Sequence, residues 1–228
     1  MATKHPVPQL CIVARIFTKP EATKTVLGLH KTVAEYEFKQ KECDSLCSML
    51  PLEGDKSIYT IFETYDSMDY VTAVHRTSEP YKKWKEEEAK SDFYSNPVEI
   101  IKCNAKGGWV WRDEPSKLPL GEQFIWIATF KAHPGKRDDF MKVVLRHTDN
   151  VYRTEDETYS FLVLESAEDD VSVILFERYS SEAYFKNVHA TSESMQEFRK
   201  NFQPLIAERL AVGFSAALGF VDKREGLA

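Results

Sequence analysis

The stretch IFETYDSMDYVTAVHRTSEPYKKWK, residues 61–85, recurs as LFERYSSEAYFKNVHATSESMQEFR at residues 175–199. Ten of these 25 positions are identical at a constant offset of 114 residues. The same offset pairs Ala14 with Ala128, so the register holds without a gap over more than 70 residues. Self-similarity at a fixed period indicates an internal duplication, and the chain is therefore predicted to contain two copies of one unit.

Each copy is predicted to fold in the order strand, helix, strand, strand, helix, strand. In the first copy QLCIVARIFT indicates a strand, Pro20 opens a helix at a position that proline tolerates, and Val26 and Val33 continue at helical spacing. CDSLCSML and SIYTIFETY form the next two strands on either side of the turn PLEGD, and a broken helical segment from about Ser67 to Lys90 precedes the closing strand NPVEIIKC. The second copy repeats this order, with its first helix from Pro134 to about Arg153.

Both faces of the predicted sheets are apolar. Ile61 lies on one side of its strand and Phe62 on the other. Such a sheet must be covered twice, by its own helices and by another layer, and the sheet of the other copy is the economical cover. The predicted fold class is therefore α+β, with two ferredoxin-like βαββαβ units, residues 8–111 and 122–222, packed sheet to sheet and joined by a linker at residues 112–121.

The composition is that of an ordinary folded protein, with 43% hydrophobic and 29% charged residues. The net charge of −6, from 36 acidic and 30 basic side chains, does not favour a polyanion, so no nucleic acid is expected as a partner. The N-terminal MATKHPVPQL lacks the apolar run of a secretory signal, and no stretch reaches the roughly 18 apolar residues of a membrane span. No membrane partner is expected, and a cytoplasmic location is predicted.

All four cysteines, Cys11, Cys43, Cys47 and Cys103, fall in the first half of the chain. A secreted disulfide framework would be expected to serve both copies. Cys43 and Cys47 would lie about 13 Å apart along a strand, which is too far for a disulfide. Reduced thiols with a structural role are therefore expected.

The duplicated pattern is a strand with Glu-x-aromatic-x-Ser, followed by a histidine on the next helix. Its residues are Phe62, Glu63, Tyr65, Ser67 and His75 in the first copy, and Phe176, Glu177, Tyr179, Ser181 and His189 in the second. In this pattern the chain resembles the antibiotic biosynthesis monooxygenase family, twice and over nearly its whole length. The resemblance implies a pseudo-dimeric α/β barrel within one chain. It is less specific for the reaction, because the family includes cofactor-free oxygenases, haem-degrading enzymes, isomerases and members without known activity.

Two catalytic sets of that family are not carried over to this chain. Anthrone-oxidising members are similar in pattern but place an Asn, then a Trp four residues later, then a Tyr six residues beyond. The matching positions are Ile61, Tyr65 and Val71 in the first copy, and Leu175, Tyr179 and Phe185 in the second. The axial histidine of the haem-degrading members would fall near Lys85 and Arg199. No haem site is therefore expected.

His75 and His189 are the candidate general bases, since imidazole takes and returns a proton near neutral pH. The alternative is a packing histidine that bonds to the glutamate of the adjacent strand. Glu63 and Glu177 place a carboxylate on a largely apolar strand face, where each either pairs with the histidine for structure or takes part in proton transfer. The Thr-Ser-Glu after each histidine predicts a helix cap.

Five aromatic residues are candidates for the wall of a substrate cavity, with core packing as the alternative for each: Tyr59, Tyr65, Tyr179, Trp84 and Trp126. Trp126 stands where the first copy has Ile12, so the two cavities are predicted to differ, and an inactive copy would be filled with side chains. His30 and His147 do not match each other at the repeat offset and are expected to be satisfied, semi-buried residues.

No H-E-x-x-H, paired C-x-x-C, G-x-G-x-x-G or G-x-x-x-x-G-K pattern occurs, so neither a metal nor another cofactor is predicted. The leading hypothesis is a cofactor-independent monooxygenase for a small, hydrophobic, phenolic or polyketide-like metabolite, in which a histidine deprotonates the substrate in an apolar cavity. The alternatives are an isomerase or cyclase in the same cavity, and a non-catalytic binding or stress-response module. Pairing of two chains into a homodimer is left open.

Overall fold

The protein contains the same order of elements twice. The structure is a computed structural model that describes residues 7–228. The first copy consists of β1 (Leu10–Phe17), α1 (Thr23–Glu37), β2 (Cys43–Pro51), β3 (Ile58–Tyr65), α2 (Met68–Ala73), α3 (Glu79–Lys90) and β4 (Glu99–Trp109). The second consists of β5 (Phe124–Ala132), α4 (Arg137–Thr154), β6 (Thr158–Ser166), β7 (Ser172–Tyr179), α5 (Glu182–Asn187), α6 (Glu193–Phe202) and β8 (Ile206–Phe220). The second helix of each copy is broken by a 3-10 turn, at His75–Thr77 and His189–Thr191, as the first copy's sequence predicts.

Helices α1 and α4 begin three residues after the prolines that were expected to open them. Pro20 and Pro134 instead stand in tight turns, because the N–H of Ala22 donates to the Lys19 carbonyl and that of Lys136 to the His133 carbonyl, each at 2.9 Å. Each proline thus sets the turn that leads into the helix, and it is not the first helical residue.

Hydrogen bonding arranges the strands of each copy in the ferredoxin-like order. That order is β4-β1-β3-β2 in the first copy and β8-β5-β7-β6 in the second. The central pairs, β1 with β3 and β5 with β7, are antiparallel and have equivalent registers. β4 and β8 continue beyond their own copies, so that β4 also pairs with β6 and β8 also neighbours β2, which closes the strand order into a barrel. The predicted α+β fold, a barrel of two ferredoxin-like units, is confirmed.

The long strands β4 and β8 divide between two compact units. The first unit consists of Pro8–Lys102, Pro119–Gly121 and Ser215–Ala228, and the second is built on Cys103–Leu118 and Glu122–Phe214. Two boundaries therefore fall inside strands, at the points where β4 and β8 change units. The sequence boundaries at 8–111, 112–121 and 122–222 remain a prediction about the order of the repeat along the chain.

Gly108 in β4 and Gly219 in β8 occupy equivalent places. Both have positive φ angles, 91° and 101°, and a Cβ atom would lie about 2 Å from the carbonyl oxygen of Phe161 or Leu46, respectively. Only glycine tolerates this conformation together with such a close approach. The two glycines are 219 − 108 = 111 residues apart. At these glycines β4 and β8 are therefore related by an offset of 111 residues, not 114.

The cores of the two units differ in composition. The core of the second unit is rich in aromatic rings, including Trp109, Phe130, Phe140, Phe161, Phe198 and Phe202. The first unit buries mainly aliphatic and small side chains, including Ile12, Ala14, Ile16, Val26, Val33 and Ile61, with Tyr59 and Tyr65. The same backbone plan is thus filled with more ring volume in the second unit.

The structure bears on the predictions about the cysteines and about membrane spans. All four cysteines are buried with thiol side chains, as a structural role predicts. Within residues 7–228, no helix is both long enough and apolar enough to cross a membrane. The prediction that the N-terminus is not a secretory signal rests partly on residues 1–6, which lie outside the described residues.

Candidate active site in the first repeat

A cavity of about 530 Å³ opens into the first unit. Its apolar wall comes from β1, β3, the start of β4 and the segment that leads into β4, and consists of Ile12, Ala14, Ile16, Ile61, Val98 and Ile100. Tyr81, Trp84 and Tyr94 add aromatic rings, and Glu63 and His75 reach the same wall. The volume lies within the range of about 300–1,000 Å³ that is usual for pockets that hold drug-sized ligands. We call this space the first-repeat cavity.

His75 is held by one ring nitrogen and faces the first-repeat cavity. Its Nδ1–H donates to Glu37 Oε1 at 2.9 Å and also lies 3.3 Å from the Tyr65 hydroxyl. The other Glu37 oxygen accepts from the Tyr70 hydroxyl at 2.7 Å, and Glu37 is fully buried. Because a carboxylate only accepts hydrogen bonds, Glu37 favours the tautomer that carries its proton on Nδ1, which leaves a lone pair on Nε2. Within the described residues that Nε2 accepts no hydrogen bond and is not among the fully enclosed polar atoms.

Glu63 bonds to a tyrosine rather than to the histidine. The Tyr65 hydroxyl donates to Glu63 Oε2 at 3.0 Å. Burial raises the pKa of Glu63 above its usual value, while the nearby His75 and the Tyr65 hydrogen bond act in the opposite direction. Burial and the Glu63 charge raise the pKa of Tyr65 well above 10, so the phenol remains a neutral donor. The alternative in which His75 bonds to its strand glutamate is therefore wrong, since the Tyr65 hydroxyl lies between the two side chains.

The second copy repeats the histidine contact in an enclosed form. His189 Nδ1 donates to Glu155 Oε2 at 2.8 Å, and the Thr158 hydroxyl donates to the same oxygen at 3.0 Å. His189 is fully buried, and its Nε2 and the second oxygen of Glu155 are both enclosed without a hydrogen-bond partner. The Tyr179 hydroxyl donates to Glu177 Oε2 at 2.5 Å, and burial raises the pKa of Glu177. The second histidine therefore has no open path to a substrate in this conformation.

Aromatic rings stand where the first copy has its open wall. At the repeat offset of 114, three larger side chains replace smaller or polar ones: Trp126 for Ile12, Phe185 for Val71, and Phe202 for Glu88. The Trp126 and Phe185 ring centroids lie 4.7 Å apart, and Phe185 stacks on His189 at 5.7 Å. Glu177 is only 3% exposed as a result, whereas Glu63 is half-buried at the first-repeat cavity. The rings thus cover the second histidine and its strand glutamate.

The five candidate wall residues have different surroundings. Trp84 lines the first-repeat cavity, and its indole N–H donates to the Tyr94 hydroxyl at 3.3 Å. Tyr59, Tyr65 and Tyr179 are fully buried behind the walls, and the Tyr59 hydroxyl lies 3.2 Å from His30 Nδ1. Trp126 packs against the core of the second unit. Of the five, only Trp84 is among the residues that line this cavity.

His30 and His147 occupy equivalent places in the two copies, although their spacing along the sequence is not the repeat offset of 114 residues. His30 packs on the Trp84 ring at 4.5 Å, and His147 packs on the ring of Phe198, the counterpart of Trp84, at 4.6 Å. Helix α4 has 18 residues and α1 has 15, which shifts the later residues of α4 relative to an ungapped alignment. Burial lowers the pKa of each imidazole to about 3, and the Nε2 atom of each is enclosed without a partner. Both are buried and only partly satisfied.

Sequence reasoning missed the glutamates that hold the two histidines. Glu37 is the last residue of α1, whereas Glu155 follows α4. An ungapped offset of 114 pairs Glu37 with Val151, so the repeat hides the relation between the two acids. The sequence did contain a signal for Glu37, which lies on the buried face at the end of an amphipathic helix. A buried acid at such a position requires a hydrogen-bond or charge partner.

The described residues contain no cluster suited to a metal ion. Within residues 7–228 no group of three or more His, Cys, Asp or Glu side chains could hold one. The polar groups that reach the first-repeat cavity are instead suited to proton transfer, since His75 has an open Nε2 and a fixed Nδ1.

Comparison with known proteins is consistent with this architecture. Residues 123–201 match the family model described as antibiotic biosynthesis monooxygenase. No curated protein matches the chain at a significant level.

Several solved structures cover nearly the whole chain. A proposed monooxygenase from Lactobacillus acidophilus has a TM-score of 0.78 at 7% identity and covers 97% of this chain and 96% of its own. A proposed monooxygenase from Fusobacterium nucleatum has a TM-score of 0.77 at 12% identity, with 93% and 94% covered. An anthrone oxidase-like protein has a TM-score of 0.64 at 10% identity, with 92% of both chains covered. At these identities the similarity shows the fold alone. Residues 123–201 are thus similar to an antibiotic biosynthesis monooxygenase domain, and the chain is a tandem duplication whose eight strands form a closed barrel.

Proposed function

We propose that the first repeat is the active site of a cofactor-independent monooxygenase, with His75 as the general base and a small, hydrophobic, phenolic or polyketide-like molecule as the substrate. The observation that carries this proposal is the first-repeat cavity, which His75 faces while Glu37 holds its Nδ1 at 2.9 Å. The family match of residues 123–201 and the fold shared with proposed monooxygenases support the general reaction class.

The chemistry requires a substrate that can itself reduce oxygen. A methylene group between aromatic rings and opposite a carbonyl meets this need, because loss of a proton to His75 Nε2 gives a delocalised carbanion. The carbanion reduces O₂, one oxygen atom forms the new bond to carbon, and the methylene becomes a ketone. The second oxygen atom leaves as water with the two protons of the methylene, so the electrons from the carbon are those that reduce O₂. The apolar wall excludes bulk water from the anion.

The surrounding residues have distinct roles in this proposal. Glu37 is a positioning residue, because it fixes the His75 tautomer and does not line the first-repeat cavity. Tyr65 separates His75 from Glu63 and donates to the latter. Trp84 and its neighbouring rings provide flat surfaces for an aromatic substrate. His189 and Glu177 are buried by aromatic rings, which favours a packing role for both.

Oxygen uptake by metal-free protein with a panel of anthrones and quinols tests the proposal. His75→Gln is expected to lower the rate by about 10²–10⁴-fold, the usual contribution of a general base. His189→Gln, at the enclosed histidine, is the matched control and is expected to keep the rate of the folded protein. A panel that gives no uptake above the His75→Gln background would overturn the proposal.

One observation favours isomerisation or cyclisation as a second candidate. Glu63 reaches the same cavity as His75, and its raised pKa helps the carboxyl to keep a proton. A base and a protonated acid in one apolar cavity can remove a proton at one atom and return one at another. Turnover that persists without oxygen and falls in Glu63→Gln selects this reaction. Binding without any turnover selects a non-catalytic module.

A further inference from the structure

Two cations reach the first-repeat cavity without an ion-pair partner in the described residues. Arg76 and Lys102 both line it and are both exposed, and neither forms an ion pair within 4 Å in residues 7–228. The Arg76 charge does act on Glu63 at longer range, where it opposes the rise in the pKa of that carboxyl. The third cation of the wall, Lys85, pairs with Glu88. The remaining acid, Glu63, accepts its hydrogen bond from a tyrosine hydroxyl. The residues that line the first-repeat cavity thus include three cations, Arg76, Lys85 and Lys102, against two acids, Glu63 and Glu88, so their net charge is positive when all five are ionised.

Both cations are absent from the copy that is filled with rings. Arg76 corresponds to Ala190 at the offset of 114, and Lys102 corresponds to Gly213 when the offset of 111 between Gly108 and Gly219 is extended along β4 and β8. The paired Lys85, in contrast, keeps a cationic counterpart, Arg199. Positive charge is thus lost at the two positions that form no ion pair within 4 Å. Positive charge is kept at Lys85, whose partner Glu88 lies on the same helix.

The polar residues that line the first-repeat cavity differ in exposure. His75 is 5% exposed, whereas Arg76 and Lys102 are exposed. The apolar wall that they share lowers the local dielectric response and strengthens attraction for an anion. Arg in particular can hold a carboxylate through two parallel N–H groups.

From this juxtaposition we propose that the substrate of the first-repeat cavity is an aromatic carboxylate, whose carboxylate lies at Arg76 and Lys102 while its acidic methylene or phenol faces His75. The inference rests on the proposed function and adds a substrate class to it. The aromatic body contacts the apolar wall and the Trp84 ring. The carboxylate stays at the two exposed cations, and it takes no part in the bonds that change.

Calorimetric titration with two probes of equal shape tests the carboxylate, namely anthraquinone-2-carboxylate and anthraquinone-2-carboxamide. The wild-type protein is expected to bind the carboxylate about tenfold more tightly than the amide, as two partly exposed ion pairs allow. The double variant Arg76→Gln, Lys102→Gln is expected to bind both probes equally, with the amide affinity unchanged. Both residues are exposed and form no ion pair within 4 Å in residues 7–228, so the double variant is expected to fold. Lys83→Ala removes an exposed lysine of the same helix that does not line the first-repeat cavity and is expected to keep the preference.

The outcomes separate this inference from the proposed function. Equal affinity of the wild type for the two probes overturns the carboxylate assignment and leaves the proposed oxygenase untouched. A preference that survives in the double variant also overturns it, because the cations would then not be its source. If neither probe binds, the first-repeat cavity does not hold an aromatic ligand, and this result overturns both the carboxylate assignment and the proposed function.

Discussion

At the scale of single residues, the two histidines share their sequence context and differ in one nitrogen. His75 and His189 each donate Nδ1–H to a buried glutamate, at 2.9 and 2.8 Å. Only His189 has its Nε2 enclosed without a partner. Both copies thus have the polar contact that orients the histidine, but only the first copy has open space in front of Nε2.

Glu37→Gln is predicted to lower kcat by about 10–100-fold with little change in KM. The neutral amide no longer favours the Nδ1–H tautomer of His75, and Glu37 does not line the first-repeat cavity. Steady-state oxygen uptake measures both constants. Glu155→Gln is the matched control in the enclosed copy and is expected to change stability but not kcat. Equal loss of kcat in both variants would contradict the separate roles of the two sites.

Buried His30 and His147 predict a loss of stability in acid. Each has a pKa of about 3 in the folded protein, against about 6.5 in the unfolded chain. Between these values the unfolded state binds more protons, so the free energy of unfolding rises with pH. The contribution is complete above pH 6.5 and is lost as the pH falls towards 3, with a slope of about 1.4 kcal/mol per pH unit for each histidine.

Urea unfolding between pH 6.5 and 4 measures this slope. His30→Gln and His147→Gln are each expected to reduce it by about 1 kcal/mol per pH unit, because each removes one proton taken up on unfolding. His133→Gln, at an exposed position, is the control and is expected to leave the slope unchanged. An unaltered slope in the first two variants would show that these histidines are not buried in the neutral form.

At the scale of elements, the recurring Thr-Ser-Glu begins helices α3 and α6, as predicted. Ser78 and Ser192 are the N-cap residues, and the oxygen of each accepts the backbone N–H three residues later, at 3.4 and 3.1 Å. Each serine hydroxyl also donates to the carbonyl of the preceding histidine, at 2.8 and 3.0 Å. The cap therefore couples the start of the helix to the turn that carries the histidine.

Ser192→Ala is predicted to lower the free energy of unfolding by about 1 kcal/mol, the usual effect of removing a serine cap. Ser192→Asn can still accept from the freed N–H groups of α6 and is expected to recover most of that loss. Urea denaturation of the two variants at neutral pH provides the comparison. An alanine variant as stable as wild type would show that the hydroxyl does not cap the helix.

Local patterns predicted the elements well because each pattern has a nearby physical cause. The caps, the strand alternation and the turns depend on residues within a few positions of one another. The glutamate partners depend on how α1 and α4 end, and the three-residue difference in helix length breaks the register there. An ungapped alignment of the two copies misaligns the residues beyond such an insertion, so it cannot predict the contacts that those residues make.

At the scale of the whole molecule, the duplicated sequence predicted the barrel of two ferredoxin-like units, because a sheet that is apolar on both faces needs a second cover. It did not predict that β4 and β8 would each contribute to both compact units. That exchange depends on how far each strand continues, and on Gly108 and Gly219, which permit a close approach to the neighbouring strand. The difference in side-chain volume between the copies was visible in Trp126 and Ile12, and the rings around His189 agree with it.

The difference in side-chain volume between the two copies can be exchanged by two double variants. Ile12→Trp with Val71→Phe gives the first-repeat cavity the rings of the second copy, whereas Trp126→Ile with Phe185→Val removes those rings from the second copy. The first pair fills existing space and is expected to change stability little. The second pair leaves a void and is expected to lower the free energy of unfolding by about 2–5 kcal/mol, as other large-to-small core changes do. Urea denaturation measures both effects, and equal stability of the two pairs would contradict the difference in packing.

Oxygen uptake with an anthrone substrate in these two double variants tests the central claim, that the first-repeat cavity is the working site. The Ile12→Trp, Val71→Phe variant is predicted to lose activity by about 100-fold or more, because even a displacement of about 1 Å in a bound substrate costs that much. The Trp126→Ile, Phe185→Val variant, measured while folded, is predicted to retain the wild-type rate. Wild-type uptake by the filled variant, or loss of uptake in the opened one, would place the reaction outside the first-repeat cavity and contradict the account.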